Sequence, residues 1–187
     1  MNIETGRLHI RDLVPKDADD FFIYRSNPEV TKYQGFDVMN KEEVYAFIDS
    51  NSTRIFAKPG EWKQFAIENK MIRRIIGDCA IKLDETDPKI AEIGITISHL
   101  EQKKGYAKEA MFGILGFLFD ELNINRVIET VDTENTPSIE LLKSVGFTQV
   151  GHFIDNIVFK GKLGSEFQFA MLQSEWQDKK FQQINWV

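Results

Sequence analysis

Cysteine is almost missing from this chain: Cys79 stands alone, so no intramolecular disulfide can form. It falls in an apolar alternation with Ile76 and Ile81 and reads as a buried structural thiol, because no histidine base is placed to activate it. Histidine is scarce as well. His9, His99 and His152 are scattered without an H-x-x-x-H spacing or a Cys/His cluster, which leaves a metal site without sequence support. Long apolar runs are absent: nothing approaches the ~18 residues of a membrane span, and Met1 to Thr5 has neither the basic start nor the apolar stretch of a secretory leader. A cytoplasmic protein without a membrane partner is expected. Positive charge is in deficit, with 23 Lys and Arg against 29 Asp and Glu; the formal charge of -6 disfavours nonspecific binding to nucleic acid and is compatible with a cationic ligand. Tracts rich in Ser, Gly and Pro are lacking too, so no linker is visible.

What is present is a core. Of 187 residues, 42% are hydrophobic and 15 are phenylalanine, enough to bury one substantial interior and too short a chain for two. One domain over residues 1–187 is expected, with a C-terminal tail from about residue 173 whose Trp176 and Trp186 could pack or, if exposed, support a homodimer. Leu8 to Leu13 reads as a strand, and Pro15-Lys16-Asp17 opens a helix carrying Phe21, Phe22 and Tyr24. Asn40 and Glu43 form a capping-box pattern ahead of Val44, Phe47 and Ile48. Three β-rich runs follow, Trp62 to Glu68, Ile75 to Leu83 and Ile90 to Ile97, whose short connections predict an antiparallel meander. In the third, period two puts Ile93, Ile95 and Ile97 on one face and Glu92, Gly94 and Thr96 on the other. Ala110, Met111, Ile114, Leu115, Leu118 and Leu122 mark a buried helix. Arg126 to Val131 is a strand, Thr136-Pro137-Ser138 opens another helix that Gly146 stops, and the chain finishes with β segments near Gly151 to Phe159 and Glu166 to Leu172. Such an order predicts an α/β (α+β) fold with a mixed sheet.

The segment Gln102-Lys103-Lys104-Gly105-Tyr106-Ala107 lies between a strand ending near Ser98 and a helix beginning near Ala107. Its backbone N–H groups therefore sit at the positive end of a helix dipole, a ready anion site. Gly105 allows the backbone to approach a phosphate, and Lys103, Lys104 and Lys108 add charge. The loop lacks G-x-x-x-x-G-K-[ST] and G-x-G-x-x-G, so ATP and NAD are poor candidates. A plain strand-to-helix turn with solvated lysines is the alternative reading of the loop by itself.

Gln102 to Ala107 matches Q/R-x-x-G-x-G/A and resembles the GNAT acetyltransferase superfamily. Thr5-Gly6-Arg7-Leu8 with Arg11, Ala91-Glu92-Ile93-Gly94, Gly105 to Ala110, and Asn135 to Ser138 with Val145-Gly146-Phe147 are similar, in order and spacing, to the ribosomal-protein N-terminal acetyltransferase branch. The resemblance implies a mostly antiparallel, twisted sheet flanked by helices, with a V-shaped opening between the strand ending at Ile97 and the strand Arg126 to Val131. Acetyl-CoA would lie there, held by Ile97, Ser98, Gln102, Lys103, Lys104, Gly105, Tyr106, Ala107, Lys108 and Asn135, and the Ile97 backbone would bind the pantetheine. Where that branch often has tyrosine, this chain has Phe167 and Phe169, which leaves no tyrosine there to act as an acid.

The implied reaction is acetyl transfer to a primary amine by direct attack. The acceptor would be a protein N-terminal α-amine or a small molecule such as a polyamine, amino acid or aminoglycoside. Glu92 is the candidate base, with a cross-strand ion pair as its alternative role. Asn135 would stand beside the thioester or serve as a cap, and Ser138 would orient it, protonate the thiolate or be structural. Tyr106 could offer a phenol but is expected to pack. A non-catalytic acyl-CoA sensor and a general anion-binding domain are the competing classes.

Overall fold

The computed structural model describes residues 1–184, and side-chain surroundings through residue 178. Strands β1 (Asn2–Glu4) and β2 (Leu8–Asp12) lead through a single turn at Pro15–Asp17 into helix α1 (Ala18–Arg25), short α2 (Pro28–Thr31) and α3 (Lys41–Thr53). The capping box forms as the sequence predicts: Glu43 N–H donates to the Asn40 side chain at 2.9 Å and Asn40 N–H to the Glu43 carboxylate at 2.8 Å. Next come β3 (Lys63–Asn69), β4 (Arg74–Leu83) and β5 (Ile90–Ile97), then α4 (Tyr106–Gly116), β6 (Arg126–Asp132), α5 (Thr136–Val145), β7 (Thr148–Phe159), β8 (Lys162–Leu172) and α6 (Gln173–Ile184).

The strands make one mixed sheet in the order β1-β2-β3-β4-β5-β6-β8-β7. Every neighbouring pair is antiparallel except β5 and β6, which the α4 crossover brings together in parallel. The expected meander is therefore β3-β4-β5. One face of the sheet carries the larger core, where Ile93, Ile97, Val127, Val131 and Phe169 meet Met111, Leu115, Leu142 and Val145 of α4 and α5. The other face is covered by α1 and α3, whose Phe21, Tyr24, Val44 and Ile48 pack on Ala66 and Ile75. Cys79 is buried in the larger core, and burial pushes its thiol well above the ordinary range, in keeping with a structural role.

Four elements depart from expectation. Strand β1 and helix α2 have too few residues to show a period. At the end of α4 the chain widens into one π-type turn over Phe117–Glu121, closed by Leu122 N–H on the Phe117 carbonyl at 3.1 Å. The expected tail is helix α6, and Trp176 is not exposed. It is 6% accessible, packs on Phe112 and Phe119, and points its indole N–H at Asp120. Trp186 lies outside the described residues. Trp176→Ala is expected to lower unfolding stability by about 3 kcal/mol in denaturant melts, the usual cost of emptying a buried aromatic site. An unchanged midpoint would show that α6 does not contribute to the core.

Candidate active site

The parallel pairing of β5 with β6 is short: Ile90 with Arg126, Ala91 with Val127 and Glu92 with Ile128, and no further. Each strand is fully held on its other side, β5 by β4 from Ala91 to Ile97 and β6 by β8 from Arg126 to Asp132. Two firmly built antiparallel blocks thus meet along three residue pairs and then part.

Hydrogen-bond alternation shows which backbone groups face the gap. Ser98 N–H donates to the Ile76 carbonyl at 2.8 Å, so residues 98, 96 and 94 bond to β4 and the backbones of Ile95 and Ile97 turn toward the opening. On β6, Gln173 N–H bonds the Asn125 carbonyl and Thr133 N–H the Ser165 carbonyl, both at 3.0 Å. Val127, Glu129 and Val131 therefore bond to β8, while Thr130 and Asp132 face the opening. Two of these carbonyls are already taken, that of Ile97 by the Gln102 side-chain amide at 3.1 Å and that of Asp132 by Asn135 N–H at 3.0 Å.

The mouth of the gap is the predicted loop. Gly105 caps α4 with φ 81°, a left-handed conformation that favours glycine, and Lys103 precedes it at φ 62°. Among the described residues no backbone carbonyl accepts from the N–H groups of Lys103 to Ala107. They remain available to an anion at the helix N-terminus. Arg7 braces the loop, donating to the Lys104 carbonyl at 3.0 Å and to Glu109 at 2.6 Å. Glu109 also accepts from the Thr5 hydroxyl at 2.6 Å and Arg7 N–H at 2.7 Å; partial burial opposes its charge, but these donors hold its carboxyl below the usual range. The Thr5-Gly6-Arg7 segment is thereby tied to the loop. Tyr106 packs, its ring under the Arg7 guanidinium at 4.4 Å and its hydroxyl accepting from Asn69 at 3.0 Å.

Residues 7–148 match the acetyltransferase (GNAT) domain family. The chain belongs to that family. Among relatives, the N-acetyltransferase p20 of Bacillus licheniformis is 34% identical over 92% of this chain and 96% of its own. The spermidine N(1)-acetyltransferase of Vibrio cholerae is 26% identical over 77% of each chain. A GNAT-family acetyltransferase from Bacillus anthracis superposes with a TM-score of 0.85 at 28% identity, over 94% of this chain and 100% of that one. As a GNAT member the chain is an acetyl-CoA-dependent N-acyltransferase, and the parted strands and the loop above fit such a substrate.

On the sheet face opposite α4, β5 presents Glu92, Gly94 and Thr96. A side chain at Gly94 would meet nothing within 4 Å, so the strand is open there. Around it the loop after α2 is firmly anchored. Buried Arg25 donates to Asp78 at 2.5 Å and to Gln34, and stacks on Phe36 at 4.2 Å; Gln34 donates in turn to the Thr96 hydroxyl at 2.5 Å. Tyr33 donates to the Glu134 carbonyl at 3.1 Å, and Lys160 of the β7–β8 turn donates to the Thr31 carbonyl at 2.7 Å. These contacts span the opening on this side.

Of the residues the sequence singled out as chemical, Glu92 stands in a cross-strand ion pair with Lys82 at 2.6 Å, at the last paired position before the strands part. Asn135 caps α5, accepting from Ser138 N–H at 3.4 Å, and stands at the end of β6 beside the gap. Ser138 reaches Asn135 through its backbone rather than its hydroxyl.

Sequence reasoning passed over Glu129. It is the first β6 residue beyond the paired segment, is 6% exposed, and lies on the core face with Val127 and Val131; its Oε2 has no hydrogen-bond partner among the described residues. A signal existed: period two in Val127-Ile128-Glu129-Thr130-Val131 puts a carboxylate on an apolar face. Burial first, and then the charge of Glu92, push its carboxyl up to about 8. The unfolded chain gives up this proton near pH 4.5 and the folded protein near 8. Between those values the unfolded state binds fewer protons, so stability falls as pH rises and levels off above the folded value. Across roughly 3.5 pH units the loss is on the order of 5 kcal/mol. Glu129→Gln removes this titration, so the stability advantage of the variant over the parent, from urea melts, is expected to grow by several kcal/mol between about pH 4.5 and 8 and then stay constant. A difference independent of pH would show that Glu129 titrates normally.

Proposed function

We propose that this protein transfers the acetyl group of acetyl-CoA to a primary amine by direct attack, with a protein N-terminal α-amine as acceptor. The observation that carries the proposal is the parting of β5 and β6 beyond Glu92 and Ile128, which leaves the backbones of Ile95 and Thr130 facing one another above a phosphate-ready loop. In this reading the N–H groups of Lys103 to Ala107 hold the pyrophosphate, with Gln102 fixing the loop to Ile97 and Lys103 and Lys108 adding charge. Ser98 and Asn135 flank the cofactor at the two strand ends. The amide-bearing pantetheine arm lies between Ile95, Ile97 and Thr130 as a surrogate strand, and an N–H of β5 polarises the thioester carbonyl.

The amine approaches from the opposite face, over Gly94, between Glu92 and Thr96. An α-amine has an ordinary pKa of about 7.7 to 8.0, against about 10.4 for lysine, so a large fraction is already neutral and needs only a weak base. Glu92, shared with Lys82, is that base, directly or through water. Ser138 supports Asn135 from the first turn of α5. An enzyme consuming acetyl-CoA works where that thioester is supplied, and we place this one in the cytoplasm.

A polyamine is the second reading, favoured by two acidic residues of the bridging contacts, Asp37, whose carboxylate lies 3.8 Å from Lys160, and Glu134, whose backbone carbonyl accepts from Tyr33, and by the relative that acts on spermidine. The two separate in a thiol-release assay with acetyl-CoA and either spermidine or an unblocked pentapeptide. Acetylation at the peptide α-nitrogen, found by mass spectrometry, supports the first reading; faster turnover of spermidine overturns it in favour of the second. Gly94→Val is expected to leave acetyl-CoA affinity within about threefold and lower kcat/KM for the acceptor by about 100-fold, since the new side chain fills only the acceptor side. Equal loss of both would place the acceptor elsewhere.

A further inference from the structure

We infer that Glu129 is a catalytic residue of this enzyme, the acid that protonates the sulfur leaving the acetyl group. The inference rests on the acyltransferase reading above and deepens it. Glu129 follows Ile128, the last β6 residue paired with β5, so it stands at the vertex of the opening where the strands separate. Its side chain lies on the face of the sheet that carries α4, and the phosphate loop is the N-terminus of that helix. A cofactor held by the loop thus enters on the side of Glu129. Glu92, one position earlier on the paired strand, lies on the other face, where Gly94 leaves room for an amine. The two carboxylates stand on opposite faces of one vertex.

Their surroundings divide the work. Glu92 is charge-paired with Lys82 at 2.6 Å. Glu129 pairs with no cation among the described residues: it faces Phe169 of β8, its same-face neighbours on β6 are Val127 and Val131, and α4 and α5 turn Met111, Leu115, Leu142 and Val145 toward the sheet. Burial, and then the negative charge of Glu92, keep the Glu129 carboxyl protonated at neutral pH. A neutral buried acid with a partnerless oxygen is an expensive feature of a core, and a sulfur that must leave as a thiol is a use for it.

The step balances. The amine nitrogen forms the new C–N bond to the acetyl carbon, the C–S bond breaks with its electron pair on sulfur, and Glu129 delivers its proton to that sulfur as the thiol forms. The proton lost by the amine passes to Glu92 or water on the acceptor face, and solvent reprotonates Glu129. No tyrosine occupies positions 167 or 169 of β8, both phenylalanine, to serve instead.

Infrared difference spectroscopy on the parent at pH 7 tests this without knowledge of the acceptor. A protonated-carboxyl band, assigned by its absence in Glu129→Gln, is expected to shift when acetyl-CoA or CoA is added. With whichever of spermidine or the unblocked pentapeptide is turned over, Glu129→Gln is expected to lower kcat about 100-fold, leave KM for acetyl-CoA within about threefold, and abolish the fall in kcat above about pH 8. Acetyl-CoA that binds and reacts while the band stays fixed, or a variant that keeps kcat and the alkaline fall, overturns the assignment alone. Acetyl-CoA that does not bind overturns the acyltransferase reading, and this inference with it.

Discussion

Two strands that part inside a protein leave backbone groups without partners, and a buried amide without a partner costs about 1–3 kcal/mol. The rest of this fold is arranged around that constraint. β5 cannot turn back to β6 because β4 holds it along seven residue pairs, and β6 cannot follow β5 because β8 holds it along seven. Water or a molecule with its own donors and acceptors, such as amide groups, can satisfy Ile95 and Thr130. A strand-like ligand arm has both the width and the alternation of donors and acceptors required.

In the proposed reading electrostatics then orient that arm. At the loop, helix-terminus N–H groups that no backbone carbonyl takes among the described residues coincide with Lys103 and Lys108. Arg7 is spent on structure: its bonds to Glu109 and the Lys104 carbonyl fix the loop from a segment near the N-terminus. On the far face the buried Arg25–Asp78 pair plays the matching part, holding Gln34 and Phe36 over β5. Such a pair contributes little net stability and is better understood as setting geometry. In the proposed reading the sheet separates a cofactor side from an acceptor side, with carboxylates of contrasting surroundings at the vertex.

Much of this was legible in the sequence because it is local. The Asn40–Glu43 box, the glycine stop at Gly146 and the Gln102 to Ala107 turn each depend on residues a few positions apart, and the period-two pattern of β5 fixed which residues share a face. What the sequence left open depends on partners distant along the chain. Burial of Trp176 requires Phe112 and Phe119 to lie beneath α6, and the pairing of Glu92 with Lys82 requires the β4–β5 register. Asn135 keeps its capping bond whichever role it has. Glu129 was visible as an alternation fault, but its meaning appears only when the strand pairing is seen to stop one residue before it.

The central claim, that the loop and the parted strands hold acetyl-CoA, is tested most directly by calorimetric titration of the parent and of Gly105→Glu, with thermal melts to establish that both are folded. Expected is saturable one-to-one binding to the parent and a loss of at least about 100-fold in affinity for the variant, whose carboxylate would stand where the pyrophosphate must sit. Absence of binding to the folded parent, or equal binding by the two, would contradict it.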